Sequence, residues 1–239
     1  MKKIGTLISL FILIASSKAH ARKCIKDVFS TGLSFDSTTI SASKNDPKAT
    51  LASTQGYGIQ ASWIIYCPDQ QIEYSPYLKH TRYQFEDVKK NSSFNSTSDS
   101  NALNTVGIKV TLPKPVSKYY GEIPLDFSIK ESIGLKSGTT HLWDEKYMNA
   151  KMTAGYNFHL WQKTHQNLVV FFKLGPLAGL SEGAGLGGTA EVGSSYFRKI
   201  NRKASFKANL FYSYSKQGLE VLDLSSQELG LQSNIVFRL

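Results

Sequence analysis

Apolar and polar side chains alternate one by one along two stretches in the middle of the chain. Between Glu122 and Leu160, the segments around Leu125 and around Tyr156 each alternate over about ten residues, and a polar segment separates them. Because successive side chains of a strand point to opposite faces, each segment predicts a strand with one apolar face. About ten residues at ~3.3 Å each, tilted by ~40°, rise roughly 25 Å, the height of the apolar band on a transmembrane barrel.

The same alternation recurs along the chain and predicts ten strands with long and short connections in turn. Long polar connections are expected at Ser37–Thr54, Glu86–Ala102, Lys136–Tyr147 and Lys216–Gln227, and a glycine-rich loop at Ser181–Gly187. The predicted fold is all-β, an antiparallel up-and-down transmembrane β-barrel of about ten strands. The predicted strands are Val28–Asp36, Gln55–Tyr66, Ile72–Phe85, Asn104–Leu112, Ile123–Ile133, Ala150–Leu160, Asn167–Leu180, Gly188–Phe197, Ala204–Ser215 and Glu228–Leu239.

Two of these strands have a mixed pattern. In the third, the apolar residues change parity near Pro76, which suggests a β-bulge there. In the seventh, Val169 and Phe171 lie on one parity while Phe172 and Leu174 lie on the other, so the pattern does not say which side faces lipid.

The N-terminus carries an export signal. Lys2 and Lys3 precede an apolar run of about twelve residues, and Ala19 and Ala21 supply the small residues of a cleavage site. This predicts a signal peptide over residues 1–21 and a barrel domain over residues 22–239. An uncleaved anchor is the alternative, but the run is short for a bilayer.

The net charge of the chain says little about its partners. Loss of three lysines with the signal lowers the formal net charge from +10 to +7. The remaining cations are scattered over strands and turns without a basic stripe or a nucleic-acid motif, so no nucleic acid is expected as a partner. Contact with outer-membrane lipid and anionic lipopolysaccharide is a more natural use of this charge.

Two cysteines, Cys24 and Cys67, remain in the exported chain. An even number of cysteines in an exported protein suggests a disulfide, and two buried free thiols are the alternative. The strand order places Cys24 just before the first strand and Cys67 in the first short turn, at the same end of the barrel. A disulfide between them is therefore predicted.

The chain resembles the single-chain bacterial outer-membrane β-barrel proteins over essentially all of its mature length. The resemblance rests on the signal peptide, the alternating strands and the alternating ending at Ile235–Leu239, although the last residue is Leu239 and the terminal aromatic is Phe237. It implies a Gram-negative outer-membrane location with both termini in the periplasm. It also implies recognition of the last strand by the barrel assembly machinery.

Charged side chains on the polar parity are the candidate functional residues. In a narrow barrel they either pair with one another and fill the lumen or line a small-solute passage. Asp36 and Arg238 share this parity. The lumen-facing candidates are Lys109, Asp126, Lys130, Lys151, His159, Lys173, Glu191, Lys207 and Glu228.

Three functions remain open at this stage. The first is an outer-membrane barrel with a structural, surface-interaction or narrow-pore role, without enzymatic activity, metal or other cofactor. The second is an outer-membrane enzyme of omptin or lipid-hydrolase type, for which Asp87, Asp99, His141 and Asp144 in the outer loops are the candidates although no local motif matches. The third is an exported soluble β-sandwich or lipocalin-like binder, against which the strand length argues.

Overall fold

A computed structural model describes residues 24–43, 49–86, 94–96, 102–113, 121–132, 135–137, 140–143, 147–181, 183–219 and 223–238. Within these ranges the chain forms thirteen strands, and no helix is long and apolar enough to cross a membrane. The strands are β1 (Ile25–Ser43), β2 (Ala49–Cys67), β3 (Ile72–Glu86), β4 (Phe94–Ser96), β5 (Ala102–Pro113), β6 (Gly121–Ser132), β7 (Leu135–Ser137), β8 (Thr140–Trp143), β9 (Tyr147–Lys163), β10 (Gln166–Gly179), β11 (Ala184–Lys199), β12 (Ala204–Leu219) and β13 (Asp223–Arg238).

Ten of these strands close into one antiparallel barrel. Each barrel strand pairs with its neighbours in chain order, and β1 closes the ring by pairing with β13 from Val28 opposite Arg238 to Ser43 opposite Asp223. Closure leaves no free sheet edge. Strands β4, β7 and β8 form a separate three-stranded sheet. The predicted ten-stranded antiparallel barrel is therefore confirmed.

The two ends of the barrel differ. One end, here called the turn end, carries the beginning of β1, the end of β13 and the connections β2–β3, β5–β6, β9–β10 and β11–β12. The opposite end is called the loop end. The Cys24–Cys67 disulfide joins the start of β1 to the end of β2 at the turn end, as the sequence predicts.

Side chains alternate between an apolar exterior and a polar interior. Ile59, Leu174 and Leu231 are exposed on the outside, whereas Thr153 is 1% exposed on the inside. Strand β10 places Phe172 and Leu174 outside and buries Phe171 inside, which settles its orientation. Aromatic rings on both sides of the wall explain why its sequence pattern was mixed.

Strand β3 is regular where a bulge was predicted. Its pairing with β5 runs without a shift from Glu73 opposite Thr111 to Arg82 opposite Ala102. Pro76 is exposed on the exterior and Tyr77 lines the interior cavity. The prediction was wrong because the tyrosines on the interior face were counted as apolar residues facing lipid.

Several predicted loops are largely strand. Strand β1 continues through Ser43 and β2 begins at Ala49, so little of the expected Ser37–Thr54 loop remains. The expected loop at Lys216–Gln227 is mostly β12 and β13, and β11 already starts at Ala184, within the expected Ser181–Gly187 loop. Strand β4 lies in the expected Glu86–Ala102 connection, and β7 and β8 lie largely in the expected Lys136–Tyr147 connection. A strand that projects beyond lipid keeps its backbone hydrogen bonds without an apolar outer face, so alternation does not reveal it. Nineteen residues of β1 rise roughly 48 Å at ~40° tilt, about twice the apolar band.

Candidate functional site in the barrel interior

The barrel encloses a cavity of about 820 Å³, and all nine lumen-facing candidates line it. The cavity begins at the turn end, where Gln71 and Asn167 contribute to its wall. Toward the loop end its wall reaches Tyr83 and Leu103. The contacts of these side chains determine what the cavity can do.

Four charged residues form a network across the lumen, here called the cross-lumen network. Lys130 on β6 places its Nζ 3.3 Å from Oε2 of Glu228 on β13. Lys79 Nζ lies 2.8 Å from Asp36 Oδ2 and 3.8 Å from Glu228 Oε1. Strands β6 and β13 are five steps apart in a ring of ten, so the Lys130–Glu228 pair joins opposite walls. This network bridges the full width of the barrel.

A second group of ion pairs lies on the wall formed by β9, β10 and β11. Glu191 accepts from Lys173 Nζ at 2.9 Å through one oxygen and from Lys151 Nζ at 3.4 Å through the other. The Lys173 ammonium also lies 4.8 Å from the centre of the Phe171 ring. Both carboxylate oxygens of Glu191 are therefore engaged, and two lysine side chains are drawn together within the lumen.

Buried side chains lie inside the barrel toward the loop end. Gln217 Nε2 donates to Asn149 Oδ1 at 2.9 Å, and their strands β12 and β9 are three steps apart. Leu219 and Leu224, which follow Gln217 in the sequence near the same end of the barrel, are only 7% and 5% exposed. None of these four residues lines the cavity. Buried side chains therefore occupy part of the interior on the loop-end side of the cavity.

Toward the turn end the interior is less filled. Tyr77 Oη donates to Asp126 Oδ1 at 3.1 Å, and Lys109 Nζ lies 4.9 Å from the centre of the Tyr77 ring. Lys207 stands on β12, five steps from the strand of Lys109 and so on the opposite wall. Neither lysine makes an ion pair with any residue that the structure describes. These two cations face the open part of the cavity.

His159 lies close to the turn-end mouth. Its Nε2 is 3.7 Å from Glu122 Oε1, and its Nδ1 is within hydrogen-bond distance of the Asn167 side chain. No cluster of three or more His, Cys, Asp or Glu side chains able to hold a metal ion occurs in the described ranges. The contacts of His159 are those of a side chain held in place by its neighbours.

Lys79 is a charged interior residue that the sequence did not indicate. It joins Asp36 to Glu228, and its side chain is 13% exposed. The mixed parity of β3 concealed it, although its alternation with exterior Leu78 and His80 was the available signal. Among the outer-loop enzyme candidates, His141 lies in β8, whereas Asp87, Asp99 and Asp144 fall outside the described residues.

No protein-family model and no curated sequence matches the chain. Solved structures with a similar fold are outer-membrane β-barrels. An outer membrane channel from Pseudomonas putida F1 has a TM-score of 0.52 at 10% identity, covering 92% of this chain and 99% of that one. The outer membrane protease OmpT from Escherichia coli has a TM-score of 0.46 at 7% identity, with 91% and 99% covered. At 10% identity, the likeness to the channel shows the fold and no activity.

Proposed function

We propose that this protein is a bacterial outer-membrane β-barrel whose lumen is closed, and that its role is structural and surface-presenting. The Lys130–Glu228 contact, which joins opposite walls across the lumen, carries this proposal. A closed barrel cannot serve as a wide pore, and small barrels are generally filled by their own side chains.

The exterior supports insertion into a membrane. Large apolar side chains such as Leu33, Leu78 and Leu210 are more than half exposed on the outer wall. Such a surface is costly in water and suits the hydrocarbon of a bilayer. Outer-membrane lipid and lipopolysaccharide are accordingly the proposed surroundings, and β13, which closes the barrel on β1, is the proposed strand for recognition by the assembly machinery.

The length of the strands supports a role at the surface. Strands β1 and β2 have 19 residues each, whereas about ten suffice to cross the apolar band. With the turn end in the periplasm, the remainder of these strands projects outward and carries the loop-end connections. We therefore assign surface interaction to the loop end. We assign ion pairing rather than catalysis to the interior charges, because the network residues are held by partners of opposite charge.

Narrow passage of small solutes is the second candidate, and the cavity favours it. A cavity of about 820 Å³ lined by Lys109, Lys207 and polar side chains reaches the turn end. A continuous path through the barrel would require the cross-lumen network and the Asn149–Gln217 contact to separate. The closed arrangement is the one in which the charges satisfy one another, so passage is the less supported role.

Site-specific thiol labelling in intact cells distinguishes these roles. Both native cysteines are bonded to each other, so an introduced cysteine supplies the free thiol. We compare Lys207→Cys, in the cavity, with Lys216→Cys, exposed close to the loop end of β12. A membrane-impermeant reagent added outside is expected to label only Lys216→Cys, and to label Lys207→Cys once the outer membrane is permeabilised.

Other results of this experiment would redirect the assignment. Equal labelling of both variants in intact cells would contradict closure and establish a passage. Recovery of the folded protein in the soluble periplasmic fraction would contradict membrane insertion and favour an exported binder.

A further inference from the structure

A group of exposed cations surrounds one arc of the turn end, and it is called here the basic rim. These residues come from the β9–β10 turn, the β11–β12 turn and the end of β13. All their side chains are exposed. The members are Lys163, Arg198, Lys199, Arg202, Lys203 and Arg238, with His165 among them.

Backbone hydrogen bonds hold the three chain segments side by side. The amide of Lys199 donates to the carbonyl of His165 at 2.8 Å, and the amide of Arg238 donates to the carbonyl of Lys203 at 2.8 Å. Within the β11–β12 turn, Asn201 Oδ1 accepts from the amides of Lys203 and Ala204, each at 2.8 Å. The six cations are therefore presented together on an ordered surface.

The three segments that form the basic rim contain no acidic residue of their own, and Asp27 precedes Val28, which pairs with Arg238. The sequence contains no Asp or Glu in residues 157–171, 193–207 or 234–238. Glu122, on the strand next to β9, lines the interior cavity and lies beside His159. Like charges on neighbouring segments repel one another unless anions from outside approach them. The basic rim therefore selects an anionic partner.

Exposed apolar side chains accompany the cations at the same level of the barrel. Trp161, Ile200 and Phe237 are 37%, 59% and 39% exposed. The Lys163 ammonium lies 5.1 Å from the centre of the Trp161 ring. Aromatic and apolar side chains next to cations are typical of the boundary between hydrocarbon and headgroups, where an aromatic belt borders the apolar band.

We propose that the basic rim binds the phosphate headgroups of anionic phospholipids in the leaflet at the turn end. The apolar neighbours place the cations at headgroup depth, and lysine and arginine near an anionic membrane surface each contribute attraction that salt screens. A soluble acidic protein would meet the charges but would not use Trp161, Ile200 and Phe237. This inference rests on the proposed membrane insertion.

The test uses the full-length mature protein folded into phosphatidylcholine vesicles that contain trace spin-labelled phosphatidylglycerol or phosphatidylcholine. Electron paramagnetic resonance gives the fraction of each label immobilised by the protein, and hence a selectivity ratio. Arg198→Gln/Lys199→Gln removes two rim charges, and Arg82→Gln/Lys216→Gln removes two exposed charges close to the loop end. Insertion of each variant is checked by resistance to extraction at alkaline pH.

The wild type is expected to prefer phosphatidylglycerol, and high salt is expected to abolish the preference. The rim variant should lose at least about fivefold in the ratio at low salt, the factor that one surface cation contributes, while the loop-end variant retains it. An inserted wild type without preference, or an equal loss in both variants, would overturn the inference and leave the barrel's proposed role intact. A protein that fails to insert would overturn both.

Discussion

The cross-lumen network should be the most sensitive polar part of the barrel, and Lys79 should be its most sensitive member. Lys79 is the shared partner of Asp36, whose side chain is fully buried, and of Glu228, whose side chain is 11% exposed. Lys79→Met leaves two carboxylates facing each other without their common cation. Removal of one partner from a buried ion pair costs about 3–5 kcal/mol, and we expect Lys79→Met to fall in that range.

Substitutions at two of the three other network members, Glu228 and Lys130, should cost less stability. Glu228→Gln keeps the size of the side chain and also removes repulsion on Asp36, so its expected cost is about 2–3 kcal/mol. The side chain of Lys130 is 38% exposed, and solvent screens its charge, so Lys130→Met should cost about 1 kcal/mol or less. A double-mutant cycle on Lys130 and Glu228 should give a coupling energy below the cost of Lys79→Met.

Equilibrium unfolding in urea from lipid vesicles, followed by tryptophan fluorescence, measures these differences. Lys216→Met is the matched control, because Lys216 is exposed and lies outside the network. If all three network variants match this control within about 0.5 kcal/mol, water screens the interior charges and the lumen is not closed by them.

Substitutions in the barrel wall and at the disulfide should also change stability or folding. Leu231→Arg puts a charge on the exterior and should lower the free energy of unfolding by about 2–4 kcal/mol in vesicles, whereas Gln232→Arg, on the interior, should cost less. Cys24→Ser removes the disulfide across 43 residues and should lower the free energy of unfolding by about 2–4 kcal/mol. Urea titration of the wild type with and without reductant should give the same difference. Gly107→Val should disturb folding more than Gly107→Ala, because a Cβ at Gly107 already meets the Tyr77 ring at 2.6 Å; refolding yield measures this.

The wall of the barrel could be predicted from the sequence because lipid enforces a simple rule. A strand between hydrocarbon and a polar interior must alternate, so residues such as Ile59 and Glu191 could be assigned to a face by parity alone. The rule fails where lipid ends. The segments Ser37–Ser43 and Ala49–Thr54 are rich in Ser and Thr, with large apolar residues only at Ile40 and Leu51. They were predicted as a loop, yet they are paired strand.

The partnerships inside the lumen could not be predicted. Lys130 and Glu228 are 98 residues apart, and their contact depends on which strands stand opposite each other and on the stagger of the barrel. Parity shows only that both point inward. The same limit hid Lys79, whose strand carries tyrosines on its interior face and so lacks a clean apolar side.

Single-channel recording in a planar lipid bilayer shows whether the membrane-inserted barrel has a closed lumen. The purified, folded protein is inserted from vesicles, and insertion is confirmed independently by its resistance to alkaline extraction. We expect the inserted wild type to carry no stepwise current, because the network of Lys79, Lys130, Asp36 and Glu228 bridges the lumen. Stable unitary openings of the wild type would contradict closure and make small-solute passage the function.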